Sequence, residues 1–258
     1  MRYALVNNGS LADPKAFPLL AEGLTAFLKG YAADKRLDPS LMECAAFPSI
    51  DHTPTGWVKV LVQQTLDAPD AAAYHDRDEH GMPIIRCGYG LIPGGELFHD
   101  NTGRGSSLIG EAEHECAETE DDDNASTWVD LDVVDPQNPH HVYHSAAKES
   151  CDPTQETFDT MLVNGTKMDR TNYVLNEWYN GRIPKGTKVD RLGVLAGPGA
   201  IAPGGYCIVR RAVQRDGEVF AAALRLDHRD PMSTWRMQKK AHASSRTQRR
   251  LLHVVKIG

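Results

Sequence analysis

Residues 111 to 123 read EAEHECAETEDDD, eight carboxylates in thirteen positions. Charges this dense repel one another, and they are tolerated best where a cation or a basic partner neutralises them. A helix is expected to begin near Ser106–Ser107 and to run through the acidic block. Whatever fold the chain adopts must therefore bring a counter-charge to that helix.

The opposite charge gathers at the other end of the chain. From Met232 to Gly258 there are seven Lys or Arg residues and no Asp or Glu, although the formal charge of the whole is -7. A solvated arm, a segment held by its own domain or by a partner surface, and a nucleic-acid contact are the three readings of such a tail. The last is disfavoured, because neither interleaved aromatics nor a recognisable module is present. The apolar run Leu251-Leu252-His253-Val254-Val255-Lys256-Ile257 is a candidate docked strand.

At 258 residues, 41% hydrophobic, the chain is long enough to bury a sizeable core. Pro, Gly or charge interrupts every apolar run before the ~20 residues a membrane helix needs, so no membrane span is expected. The apolar stretch after Arg2 is too short for a signal-peptide core and reads as a first strand. Five scattered cysteines without a C-x-x-C pair suggest neither a disulfide framework nor a cysteine-based zinc site, and a reducing compartment is expected.

Strand patterns occur at 2–7, 57–63 and 83–90. Between the first two, Phe17, Leu20, Leu24, Phe27, Leu28 and Tyr31 recur at helical spacing, which predicts a helix over about 14–33 capped by Asp13-Pro14. After Trp128 the pattern loosens; VDPQNPHH (134–141) reads as a turn-rich loop. Residues 159–165 and 172–179 suggest a hairpin or short strand and then a short helix. Strands at 206–213 and 218–226 flank the hairpin signal Asp216-Gly217. The expected fold class is α+β, a small sheet with packed helices and a loop-rich C-terminal half, divided into a domain over 1–231 and a basic arm over 232–258.

The chemistry concentrates in His114-Glu115-Cys116-Ala117-Glu118. Residues four apart share a helix face, so His114 and Glu118 can reach one metal ion, with Glu115 beside them. In the related H-E-x-x-H arrangement two histidines ligate zinc and the intervening glutamate is the general base. A carboxylate in place of the second histidine is a competent but harder ligand. Asp122, if the helix ends there and the chain folds back, or Glu149 can supply the third ligand, and Glu149 is preferred. A solvated Glu/His-rich helix is the bland alternative, and calcium on Asp121, Asp122, Asp123 and Asn124 another. His75, in Tyr74-His75-Asp76, reads as a turn residue ahead of the alternatives of base or ligand. His140, His141 and His144 read as surface residues. No nucleophile elbow surrounds Ser106, Ser107 or Cys116, so acyl-enzyme chemistry has no support.

Taken in order, Tyr74-His75-Asp76 with Gly81 and Pro83, Ser107 ahead of His114-Glu115-x-x-Glu118, Asp122 and Trp128, Glu149-x-Cys151-Asp152-Pro153, and Gly204-Gly205-Tyr206 resemble a little-characterised zincin-like family of tailed bacteriophages, prophages and some bacteria. The matched blocks span roughly 74–206, about half the chain. The resemblance implies a zincin-like mixed sheet, His114 and Glu118 as ligands of zinc or another divalent cation, and Glu115 in the position of the catalytic acid-base. Three departures stand out: Glu113 replaces the usual Ser before the His, Cys116-Ala117 the apolar pair, and Asp122-Asp123 the usual Asp-Pro.

The expected function is a virion structural protein, capsid-decorating or tail-associated, on a zincin-like metal-binding fold. It would sit in the virion, and in the host cytoplasm during assembly. Its partners would be other virion proteins or copies of itself, engaged through the arm 232–258, with no membrane and no nucleic acid. The alternative is an active zinc-dependent metallopeptidase using His114 and Glu118 as ligands and Glu115 as base. A metal-stabilised module for carbohydrate or a cell surface is a third reading.

Overall fold

The first strand buries four consecutive residues, Tyr3 to Val6, as an interior strand of a mostly parallel sheet does. In the computed structural model, which describes residues 1–9, 15–68, 71–101, 107–123, 126–215, 218–228 and 255–256, the chain is mixed α+β and forms two units. The first comprises residues 1–124 and 156–172, the second 125–155 and 173–258.

In the first unit, β1 (Arg2–Asn7), β2 (Glu43–Phe47), β3 (Val58–Gln63), β4 (Ala73–Arg77) and β5 (Pro83–Gly88) form one sheet in the order β2-β1-β3-β5-β4. Its pairings are parallel except that β4 runs antiparallel along β5 at one edge. Tyr3, Leu5, Val60, Val62, Ile85 and Cys87 are all buried on one face of it, and the register of β4 sets His75 opposite Ile85 on that face. Helix α1 (Ala16–Asp34) follows the expected periodicity, burying Phe17, Leu20, Leu24, Phe27, Leu28 and Tyr31. The expected cap Asp13-Pro14 lies outside the described residues. Helix α2 (Leu108–Asp121) packs against α1, β4, β5 and the hairpin strand β9 (Thr166–Thr171), which pairs antiparallel with β8 (Phe158–Val163).

In the second unit, β6 (Trp128–Asp135), β7 (Asn138–Ala147), β10 (Tyr206–Arg215), β11 (Glu218–Asp227) and β12 (Val255–Lys256) form an antiparallel sheet in the order β12-β11-β10-β7-β6. Its core gathers Leu131, Val133, Tyr143, Val174, Trp178, Val189, Cys207, Val209 and Leu226. The Trp178 indole donates to the Ala200 carbonyl at 2.9 Å, and the buried Asp190 carboxylate accepts from the amides of Gly193, Val194 and Leu195. These bonds order the loop-rich stretch between β9 and β10.

One expectation changes. The segment 134–141 is mostly strand: only Pro136–Gln137 turns, with the Gln137 amide donating to Asp135 Oδ1 at 2.9 Å. Pro139 is tolerated because β10 meets β7 at Ala146, far along the strand from it. Of the C-terminal arm, Val255–Lys256 pairs with Phe220–Ala221 of β11. The rest of 229–258, including the expected boundary at 231, lies outside the described residues, as do Asp216-Gly217 between β10 and β11.

Candidate metal centre

Helix α2 starts where the sequence places it. Ser107 has extended backbone angles and its hydroxyl accepts from the Gly110 amide at 3.3 Å, so it is the N-cap. The far end is electrostatically adverse, since acids crowd the negative pole of the helix and its last turn holds no basic residue. Compensation comes from outside the helix. Lys35 Nζ lies 2.8 Å from Asp121 Oδ2 with both side chains nearly sealed from solvent. The Met1 amino group lies 3.0 Å from Glu120 Oε1, which also accepts from the Tyr3 hydroxyl at 2.7 Å. Burial, reinforced by Glu120, pushes the Tyr3 phenol well above its ordinary pKa. Arg77 reaches the exposed Asp123 at 2.8 Å.

The middle of α2 is buried on nearly every side, including four acid or imidazole side chains. Exposure is 8% for His114, 5% for Glu115 and 0% for Glu118, with Glu113 also buried. Glu113 Oε2 accepts the Thr171 amide at 2.8 Å, tying the helix to the β8–β9 hairpin. Glu113 thus has a structural task.

His114 and Glu118 do converge. Nε2 of the histidine stands 3.4 Å from Oε1 of the glutamate, as one-face spacing requires. Glu115 points toward the sheet instead, where its Oε2 meets Nδ1 of His75 at 3.0 Å. The other ring nitrogen of His75 lies 3.1 Å from the carbonyl oxygen of Asp122. Asp122 is the residue at which the helix stops, its φ of -154° and ψ of 79° lying outside helical geometry. The helix does end at Asp122, and what meets His75 there is the Asp122 main-chain carbonyl.

His75, Glu115 and Glu118 bring one ligand atom each within 4.8 Å of one another, all three residues being buried. This group can hold a metal ion. Zn–N and Zn–O bonds of about 2.0–2.2 Å place donors roughly 3–4 Å apart, so small side-chain movements suffice. The fit is good on chemistry as well, one imidazole with two carboxylates being a common divalent-cation set. Glu149 belongs to the second unit, where it is buried immediately before Ser150.

His75 reads in the sequence as a turn residue ahead of base or ligand. It sits mid-strand in β4, with 1% exposure, and not in a turn. The turn comes afterwards, where Asp78 accepts from the His80 and Met82 amides. A second ordered imidazole went unnoticed in the sequence: His99 Nδ1 lies 2.6 Å from Asp169 Oδ1, and Asp169 Oδ2 accepts the Asp100 amide at 2.9 Å. His140, His141 and His144 are exposed on β7, where His144 pairs with Asp132 at 2.7 Å and His141 stacks on Tyr143. All five cysteines are buried free thiols. Among the described residues no helix is long and apolar enough to cross a membrane.

Compared with known proteins, the chain matches no family model, no curated protein and no solved structure.

Proposed function

We propose that the protein is a structural component of a bacteriophage particle, built on a zincin-like core that holds a divalent cation, zinc first among the candidates. The observation that carries this reading is that the motif blocks meet in pairs within each unit. His75 of the Y-H-D block touches Glu115 of the H-E-x-x-E block. Gly205 of the G-G-Y block lies on Pro153 of the C-D-P block, so close that a Cβ would stand 2.3 Å from the proline carbonyl oxygen. Residues scattered along the sequence thus serve as mutual supports, which favours the family resemblance over chance matches.

Burial of the ligand group favours a cation held for structure, since structural sites are closed and catalytic ones keep an open position. The basic arm 232–258 would engage an acidic surface of a neighbouring virion protein or of a second copy, placing the protein in the particle and, before assembly, in the host cytoplasm. Elemental analysis of purified protein, with light scattering of the full chain against a chain ending at 231, tests both halves. Stoichiometric metal and an arm-dependent assembly are expected. Metal-free protein that is monomeric with and without the arm overturns the reading.

A zinc-dependent metallopeptidase is the second reading, favoured by the convergence of His114 and Glu118 at 3.4 Å. Bound zinc would polarise a scissile carbonyl and lower the pKa of its water toward ~7, with Glu115 placed to take a proton. Zinc-stimulated peptide cleavage that disappears in Glu115→Gln supports it; no cleavage in the zinc-loaded wild type sinks it.

A further inference from the structure

We infer that His75, through Nδ1, joins Glu115 and Glu118 in holding the cation, so that the glutamate at the base position of H-E-x-x-E is itself a metal ligand. This rests on the metal-binding part of the reading above and specifies which atoms carry it.

The ring of His75 is clamped between two acceptors. A carbonyl oxygen can only accept, so Nε2, 3.1 Å from the Asp122 oxygen, carries the ring hydrogen. In the neutral imidazole the Nδ1 lone pair then faces Glu115 Oε2 at 3.0 Å. A lone pair and a carboxylate oxygen at that distance require a positive centre to share. A proton would satisfy those two atoms alone, whereas a metal ion also engages Glu118, whose ligand atom lies within 4.8 Å of both. A main-chain carbonyl on the far nitrogen is also how metal-bound histidines are commonly fixed in tautomer and direction.

The helix adds its own constraint. Glu115 and Glu118, three apart, sit on neighbouring turns of the face toward β4, and Glu118 lies between Glu115 and His114 around the helix axis. Glu115 directed at His75 is drawn into the ligand group and is withdrawn from the role of a free base. One imidazole and two carboxylates suit a divalent first-row ion such as zinc or manganese.

The test loads the full chain with zinc, removes excess by desalting, and measures bound metal by mass spectrometry in wild type, His75→Ala, Glu115→Gln and His114→Ala, with circular dichroism confirming the fold of each. Wild type and His114→Ala are expected to keep stoichiometric zinc, and His75→Ala and Glu115→Gln to lose it. A Glu115→Gln protein that keeps its zinc while His114→Ala loses it overturns the inference. A wild type without zinc overturns the metal-binding reading instead, so the two failures are distinct. If a variant does not fold, histidine nitrogen NMR of the wild type decides. Zinc should shift Nδ1 of His75, with its hydrogen on Nε2, and a zinc shift confined to His114 overturns the assignment.

Discussion

The imidazole of His75 and the carboxylate of Glu115 meet at 3.0 Å across 40 positions of sequence, joining the antiparallel edge strand to the acidic helix. This contact ties an edge strand to a buried group of polar side chains on the helix. It also sets what the cation should do for stability.

Metal should raise the melting temperature. A ligand at a thousand times its dissociation constant stabilises the native state by about 4 kcal/mol, or roughly 8–16 °C for a protein of this size. Differential scanning fluorimetry of chelator-treated protein, with and without added zinc, should show that rise, and it should vanish in Glu118→Gln.

The Lys35–Asp121 pair, 2.8 Å apart with side-chain exposures of 2% and 8%, should be costly to break from one side. Lys35→Met leaves a buried carboxylate at the negative pole of α2 and should destabilise by about 3–5 kcal/mol. The double variant Lys35→Met/Asp121→Leu should recover most of that in urea denaturation.

Alkaline pH should weaken the fold through its thiols. Burial pushes Cys44 up to about 12 and raises Cys87 and Cys116 well above the ordinary range. The native state thus keeps protons that the unfolded chain releases above about pH 8.5. Below that value both states are protonated and the stability is fully present. Above it the unfolded state binds fewer protons, so stability should fall by about 1.4 kcal/mol per pH unit for each thiol until the native thiol ionises. Urea titrations at pH 7.5, 9 and 10 check this, and Cys116→Ser should lessen the slope.

Gly205→Ala should destabilise the second unit. The added Cβ would lie 2.3 Å from the Pro153 oxygen and 2.7 Å from its carbonyl carbon, both main-chain atoms that cannot swing aside. Overpacking of this kind costs about 1–3 kcal/mol or more. Gly197→Ala, with nothing within 4 Å of its Cβ position, is the matched control in thermal unfolding.

The parts legible in the sequence are those where one period dominates. The four-residue apolar run of β1, the three- and four-residue spacing of α1 and the capping Ser107 of α2 are all visible in the sequence. The strands β6 and β7 did not, because Pro136, Pro139 and three histidines outweigh an alternation that buries Leu131, Val133 and Tyr143. Only pairing across a two-residue turn converts that polar stretch into a hairpin. The same holds for the candidate site. His114 and Glu118 are visible as a helical pair, whereas His75 becomes a partner only once β4 runs antiparallel to β5 and turns its side chain onto the helix face. Local spacing encodes the first kind of neighbour; the second kind depends on sheet topology.

The first unit takes its β8–β9 hairpin from residues 156–172, after the chain has already laid down β6 and β7 of the second. On a ribosome, α2 would therefore emerge well before the Thr171 amide that donates to Glu113. During that interval the acid-rich helix lacks part of its cover, and its maturation waits on vectorial synthesis of the hairpin. A stop anywhere before residue 172 would strand the first unit unfinished, so neither unit can be excised as one uninterrupted stretch of gene.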